Sequence, residues 1–252
     1  MSKKRTIVEV VLVLGLSVGM SALYSMVSIT RRVMSETPLQ EQTATINRPL
    51  APEPAFDLIY QLLAITSALM PVALVLFLVA RPQPPRFGAI GLDGSKPVRD
   101  GLSGLGLAAL IGIPGLGLYV AGVWWGVTVQ IVPSVLDTLW WTIPVLLLHA
   151  VKASLVEEVI AVGYLVTRLL SLNIPIALIV VAHALLRASY HLYQGFGPFV
   201  GNFVMGVVFA WWFLKTRRLA PLIVAHFAID AVAFVGYPLW ADNAPDFLTF
   251  SV

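Results

Sequence analysis

Seven stretches of this 252-residue chain, at about 6–29, 56–80, 101–123, 137–170, 174–192, 199–215 and 219–240, are apolar and long enough to restrict the fold sharply. About 20 apolar residues in a helix cross the hydrocarbon core of a bilayer. Inside that core every backbone N–H and C=O must be paired, which only helices and closed barrels achieve. The strict alternation of a spanning β-strand is absent. The chain therefore reads as an all-α polytopic membrane helix bundle of about seven spans. Composition agrees: 58% of residues are hydrophobic and 12% charged, against about a quarter charged in soluble domains.

The fourth run is too long for one straight crossing, since 137–170 would measure about 50 Å at 1.5 Å per residue. A kink near Pro144, or a separate embedded segment before Lys152, is expected. The first run follows Lys3-Lys4-Arg5, but its apolar core is longer than that of a cleavable signal and no small-x-small site follows. It reads as an uncleaved first span. A polar connector, Arg31 to Pro54, reads as an exposed, mobile loop. A second connector, from Arg81 to Asp100, is basic and rich in proline. It divides a two-span region, 1–100, from a membrane-embedded core, 101–252, whose last four helices are expected to carry the site.

Orientation follows from the loop Lys and Arg residues. With the N-terminus in the cytoplasm of a multi-pass cell-membrane protein, eleven lie inside: Lys3, Lys4, Arg5, Arg81, Arg86, Lys96, Arg99, Arg168, Lys215, Arg217 and Arg218. Arg31, Arg32, Arg48 and Arg187 are left outside, where Trp124, Trp125, Trp140 and Trp141 would form an aromatic belt. The net charge of +3 is small and the basic residues form no patch, so nucleic acid is not a partner; the bilayer is. With no cysteine, thiol catalysis and thiolate metal sites are excluded. The glycines of 101–118 hold a loose GxG, but no strand precedes it, and close helix packing is the better role.

Ionisable groups inside a membrane are costly, about 2.5–3.5 kcal/mol each on insertion scales, and usually face a functional cavity. Here they cluster in the C-terminal half: His149 and Lys152; Glu157 and Glu158; His183, Arg187 and His191; His226 and Asp230. Adjacent Glu157 and Glu158 point about 100° apart on an α-helix, so they line two walls of a cavity and do not share one target atom. Arg187 with His191, and His226 with Asp230, are each spaced i, i+4 and share a face. Carboxylates and histidines from three helices can thus meet. That set suits water activation and oxyanion stabilisation in amide hydrolysis.

At these residues the sequence resembles the CPBP (CAAX protease and bacteriocin-processing, ABI) family of intramembrane proteases. That group includes the type II CAAX prenyl endopeptidases and bacteriocin-immunity proteins. The family's Glu-Glu-x-x-x-Arg motif begins at Glu157-Glu158, its Phe-x-x-x-His motif falls on RASYH, 187–191, and its His-x-x-x-Asn/Asp motif on His226 and Asp230. The resemblance covers about 150–232. It implies a glutamate-assisted endopeptidase in which Glu157 with His191 activates water, Glu158 supports that site, and His226 with Asp230 stabilises the oxyanion. Its substrate would be a peptide or protein, lipidated in some members. No cofactor is needed in that reading, but zinc held by Glu157, His191 and His226 is an open alternative. Two positions depart from the pattern: Val162 stands where the family has arginine, and Arg187 where it has phenylalanine. The cation is therefore expected to have moved to Arg187.

Depth along the helices, at about 1.5 Å per residue, favours His183 over His191 as the partner of Glu158 and His226, so His183 stands as a substitute for His191. His149 and His183 otherwise read as packing histidines, and Tyr190, Tyr193, Gln194 and Asn202 as residues that satisfy a helix end. The bland reading of Glu157-Glu158 is an ion pair with Lys152 or Arg168, and that of His226 and Asp230 a packing hydrogen bond. Two other functions remain open: a non-catalytic scaffold or immunity-type protein, and a proton-coupled transporter. The transporter is less favoured because polar groups occupy only one half of the chain.

Overall fold

The computed structural model describes residues 2–79, 87–132 and 139–240. Helices α1 (Lys3–Gly15) and α2 (Val18–Val33) come first, then α3 (Pro54–Val79) and α4 (Pro97–Trp124). They are followed by α5 (Thr142–Leu155), α6 (Leu165–Ser171), α7 (Ile176–His191), α8 (Phe196–Thr216), α9 (Ala220–Ala231) and α10 (Tyr237–Trp240). A π-helical segment, Val156–Tyr164, joins α5 to α6, and another, Val232–Gly236, joins α9 to α10. Proline in the first turn opens α3, α4 and α9, where no backbone donor is lost. Asn173 and Arg217 in left-handed conformation close α6 and α8.

The all-α polytopic bundle expected from the sequence is present. Among the described residues, five helices are long and apolar enough to cross a membrane: 54–79, 97–124, 176–194, 196–216 and 220–240. The pair α1 and α2 makes a sixth if it counts as one span. The remaining expected span, the fourth run at 137–170, differs because Lys152, Glu157, Glu158 and Arg168 interrupt its apolar surface and its middle is π-helical.

Three expectations need correction. The first span is not one straight helix, because α1 and α2 meet at 54°. At the break Ser17 leaves helical geometry (φ −145°, ψ −126°) and donates its hydroxyl to the freed Val13 carbonyl at 2.6 Å. The long fourth run neither kinks at Pro144 nor divides before Lys152. Pro144 sits in the first turn of α5, where it costs no helix bond, and the irregularity comes later, at the glutamates. The connector after α2 is tied down. Its strand β1 (Thr43–Thr45) pairs in parallel with β2 (Gln130–Val132), Gln42 Nε2 donates to the carbonyls of Arg32 and Thr37, and Arg32 donates to the Thr43 carbonyl. Of the second connector, Arg81 to Arg86 lie outside the described residues.

The core packs α7 against α8 and α2, and α9 against α4 and α5, while α3 lies along α5 and the π segment. At the amino-terminal end, Glu9 of α1 accepts hydrogen bonds from Tyr164 (3.0 Å) and Arg168 (2.8 Å), and Arg168 also donates to the Leu78 carbonyl. The connector before α4 is fastened at the same end. Arg218 forks onto both Asp100 oxygens at 2.6 and 2.5 Å and reaches Asp93 at 3.2 Å. Hydrogen bonds from Ser95, with Arg218 beside it, hold the exposed Asp93 carboxyl down at about 2. Gly91 has φ +72°, and a Cβ there would collide with the Arg217 carbonyl. At the opposite end Trp124, Trp125 and Trp140 are exposed, as an aromatic belt requires.

Candidate active site

Glu157 and Glu158 occupy the first turn of the π-helical segment. Such wide turns are rare and occur at functional sites more often than elsewhere. Widening the helix here lets two adjacent carboxylates reach the same two partners. Arg187 Nη1 donates to Glu158 Oε1 at 2.8 Å, while its Nη2 lies 3.4 Å from Glu157 Oε2. His226 Nδ1 is 2.7 Å from Glu158 Oε1, and its Nε2 is 3.9 Å from Glu157 Oε2. The expectation of two separate walls is thus sharpened: no atom is aimed at by both in an α-helix, but Arg187 and His226 each bridge the pair.

The two glutamates differ in access. The Glu158 and Arg187 side chains are 0% and 1% exposed, whereas Glu157, Asp230 and His191 retain 14%, 17% and 20%. Glu158 and Arg187 form a floor, and Glu157, His191 and Asp230 form its open rim. Around Glu157 Oε2 gather the Tyr190 hydroxyl at 2.9 Å and His191 Nε2 at 3.6 Å, besides Arg187 and His226. Its other oxygen, Oε1, has no partner among the described residues. Asp230 Oδ2 lies 3.5 Å from His226 Nε2. Because the Glu158 carboxylate can only accept, the His226 Nδ1 facing it carries a hydrogen. Nε2 is left facing Glu157 and Asp230.

Arg187 thus stands between both carboxylates, and Val162 lies fully buried in the π segment. The cation that the first motif lacks comes from the neighbouring helix. Its guanidinium also lies 5.2 Å over the Phe209 ring of α8, which closes the hydrocarbon side of the site.

His191, and not His183, faces Glu157. The depth argument began α7 too early. Counted from Ile176, His191 is about 22 Å along its helix, and Glu157 counted back from Ser171 is about 21 Å. His183 is buried and its Nδ1 lies 3.0 Å from the Gly206 carbonyl, a bond that ties α7 to α8. His149 pairs with Gln61 of α3 at 2.8 Å. The Tyr193 backbone N–H donates to Ser25 Oγ of α2 at 2.6 Å, Gln194 donates to the Tyr193 hydroxyl, and Asn202 donates to the Pro198 carbonyl within α8. Tyr190 is the residue the sequence reading undervalued. It follows Arg187 by one helical turn and adjoins His191, a placement that could have marked it. The ion pairs considered for the glutamates do not form: Arg168 pairs with Glu9, and Lys152 makes no ion pair among the described residues.

Ligand atoms of Glu157, Glu158 and His226 lie within 4.8 Å of one another, a spacing a metal ion can use. The zinc set expected from the sequence has His191 in place of Glu158. In this site the Arg187 guanidinium already engages Glu158 Oε1, so a fixed cation takes the inner side of the cluster. His191 Nε2 and His226 Nε2 approach Glu157 Oε2 to 3.6 and 3.9 Å, but among the described residues His191 does not join the cluster that has this spacing.

No curated protein and no solved structure matches the chain. Residues 139–232, which contain all of these site residues, match the family model described as type II CAAX prenyl endopeptidase Rce1-like, so this segment is similar to that family.

Proposed function

We propose that the chain is an intramembrane endopeptidase that hydrolyses a peptide bond within or near the bilayer by glutamate-assisted water activation. The observation that carries this reading is the asymmetry of the two carboxylates: Glu158 is sealed against Arg187, while Glu157 keeps one oxygen free at an accessible rim. In this mechanism a water between Glu157 Oε1 and His191 attacks the peptide carbonyl as Glu157 takes its proton. His226, protonated on both nitrogens between the acceptor-only carboxylates of Glu158 and Asp230, donates from Nε2 to the oxyanion. Glu157 then returns the proton to the leaving amine as the C–N bond breaks. Glu158 and Arg187 hold the charges in place. Tyr190 fixes the Glu157 rotamer through Oε2, which leaves Oε1 for chemistry.

No metal is required by this scheme. A metal ion, if held at the Glu157, Glu158 and His226 cluster, would supply a Lewis acid and an activated water. The substrate is a membrane-associated peptide or protein, and the Rce1-like match makes a lipidated C-terminal peptide one candidate.

The test compares membrane-peptide profiles of cells carrying wild type or Glu157→Gln. Peptides that accumulate uncut only with the variant, at equal protein level, support the reading. Identical profiles, or a phenotype retained by both Glu157→Gln and His226→Ala, would favour a non-catalytic scaffold.

A further inference from the structure

Three buried atoms beneath the rim have no partner among the described residues: Glu158 Oε2, Arg187 Nε and His183 Nε2. All three residues are 0% exposed, and an unpaired polar atom is costly in such a place. Their side chains meet in one layer. Glu158 and Arg187 are joined at 2.8 Å. His183 precedes Arg187 by four residues and shares its face of α7. Both also touch α8, His183 through the Gly206 carbonyl at 3.0 Å and Arg187 over the Phe209 ring at 5.2 Å. The two helices run antiparallel across the short turn Leu192–Gln194, so Phe209 lies about one turn nearer the start of α7 than Gly206 does. Arg187 therefore leans back along α7, as helical side chains do, and brings its guanidinium to the level of the His183 ring.

The three atoms have complementary hydrogen-bonding roles. His183 Nδ1 faces a carbonyl, which only accepts, so Nδ1 carries the hydrogen; beside a fixed guanidinium the ring carries no second one, and Nε2 is an acceptor. Glu158 Oε2 only accepts, and Arg187 Nε only donates. One water molecule answers this set: it gives a hydrogen to each acceptor and takes the Arg187 bond at its oxygen, and buried waters make about three such bonds. An anion would meet two acceptors there, and a metal ion would meet the guanidinium. We infer that Glu158 Oε2, Arg187 Nε and His183 Nε2 hold one buried water, and that His183 is a positioning residue that fixes the Glu158–Arg187 floor through it. The water takes up the second oxygen of Glu158, which leaves base chemistry to Glu157. The positioning role rests on the endopeptidase reading; the water site does not.

The experiment places the full chain in lipid nanodiscs and determines its structure finely enough to show ordered water. Density for one water within hydrogen-bond distance of all three atoms is expected. Atoms bonded directly to protein groups, or too far apart to share a water, overturn the inference whether or not the chain cleaves anything. The positioning role is read from variants acting on a peptide that wild type cuts. His183→Asn keeps a side-chain N–H for the Gly206 carbonyl but has no atom in place of Nε2. Its melting temperature should stay near that of wild type while kcat falls about tenfold, the worth of one hydrogen bond to a charged group, with KM unchanged. His183→Leu loses both bonds and should lower kcat and melting temperature together. If His183 only ties α7 to α8, His183→Asn keeps the wild-type kcat, and the positioning role fails. If wild type cleaves nothing, the endopeptidase reading falls alone and the density decides the water site; the density also decides it if His183→Asn melts as early as His183→Leu.

Discussion

Arg187 shows how a single side chain decides the state of this site. Two carboxylates buried side by side need a compensating cation, and this chain has valine where the resembling family carries one on the same helix. The guanidinium that fills the need comes from α7, 2.8 Å from Glu158 and 3.4 Å from Glu157. Removing one partner of a buried ion pair leaves an uncompensated charge and costs about 3–5 kcal/mol. Arg187→Phe is therefore expected to lower thermal stability in detergent and to lose at least about a hundredfold in cleavage rate. Val162→Arg alone should also fail, because it adds a second cation to a filled core. Combined, the two changes restore the family pattern, and the double variant should recover activity that neither single variant has. A fully active Arg187→Ala would show that the ion pair is dispensable. The need for a displaced cation was legible in the sequence from the two departures alone. The role of Tyr190 was not, since a tyrosine at a helix end looks the same whether it caps the helix or orients Glu157.

At the scale of elements, the site depends on how closely α7 approaches α8. Gly206 is the contact point. A Cβ there would meet the Ala184 Cα at 2.7 Å and its Cβ at 3.2 Å, in contact with the Arg187 Cβ, and the Gly206 carbonyl receives His183. Gly206→Ala is expected to force the helices apart at about 1–3 kcal/mol, as overpacking does. Because Arg187 and His191 ride on α7, kcat should fall along with the melting temperature. A variant that melts lower but keeps its kcat would mean that α7 moves without carrying the site. Hydrophobic run length was enough to find almost every helix, because a bilayer tolerates little else. It could not find the π-helical segment, since the same residues read as an ordinary α-helix and the wide turn is fixed by partners on α7 and α9. It also missed the bend at Ser17 and the short β1–β2 pairing, each settled by a few hydrogen bonds that have no periodic signature.

For the whole molecule, the remaining question of architecture is which side of the membrane each end faces. The end that carries α1's start, the Asp93–Asp100 connector and the α8–α9 turn holds nine of the fourteen described Lys and Arg residues. The sequence count placed Arg187 on the far side, but it is buried in the core, so only Arg31, Arg32 and Arg48 remain there. The corrected distribution strengthens the bias toward a cytoplasmic N-terminus. The chain has no cysteine, so single cysteines report position without a background. Ser95→Cys, in the exposed connector at the basic end, should react with a membrane-impermeant maleimide only after the cells are permeabilised. Thr45→Cys, exposed on β1 at the opposite end, should react in intact cells. The reverse pattern would invert the topology. It would then place the open rim of the site, which lies where α7 ends beside the β1–β2 cap, toward the cytoplasm, where substrates would have to enter from the opposite leaflet.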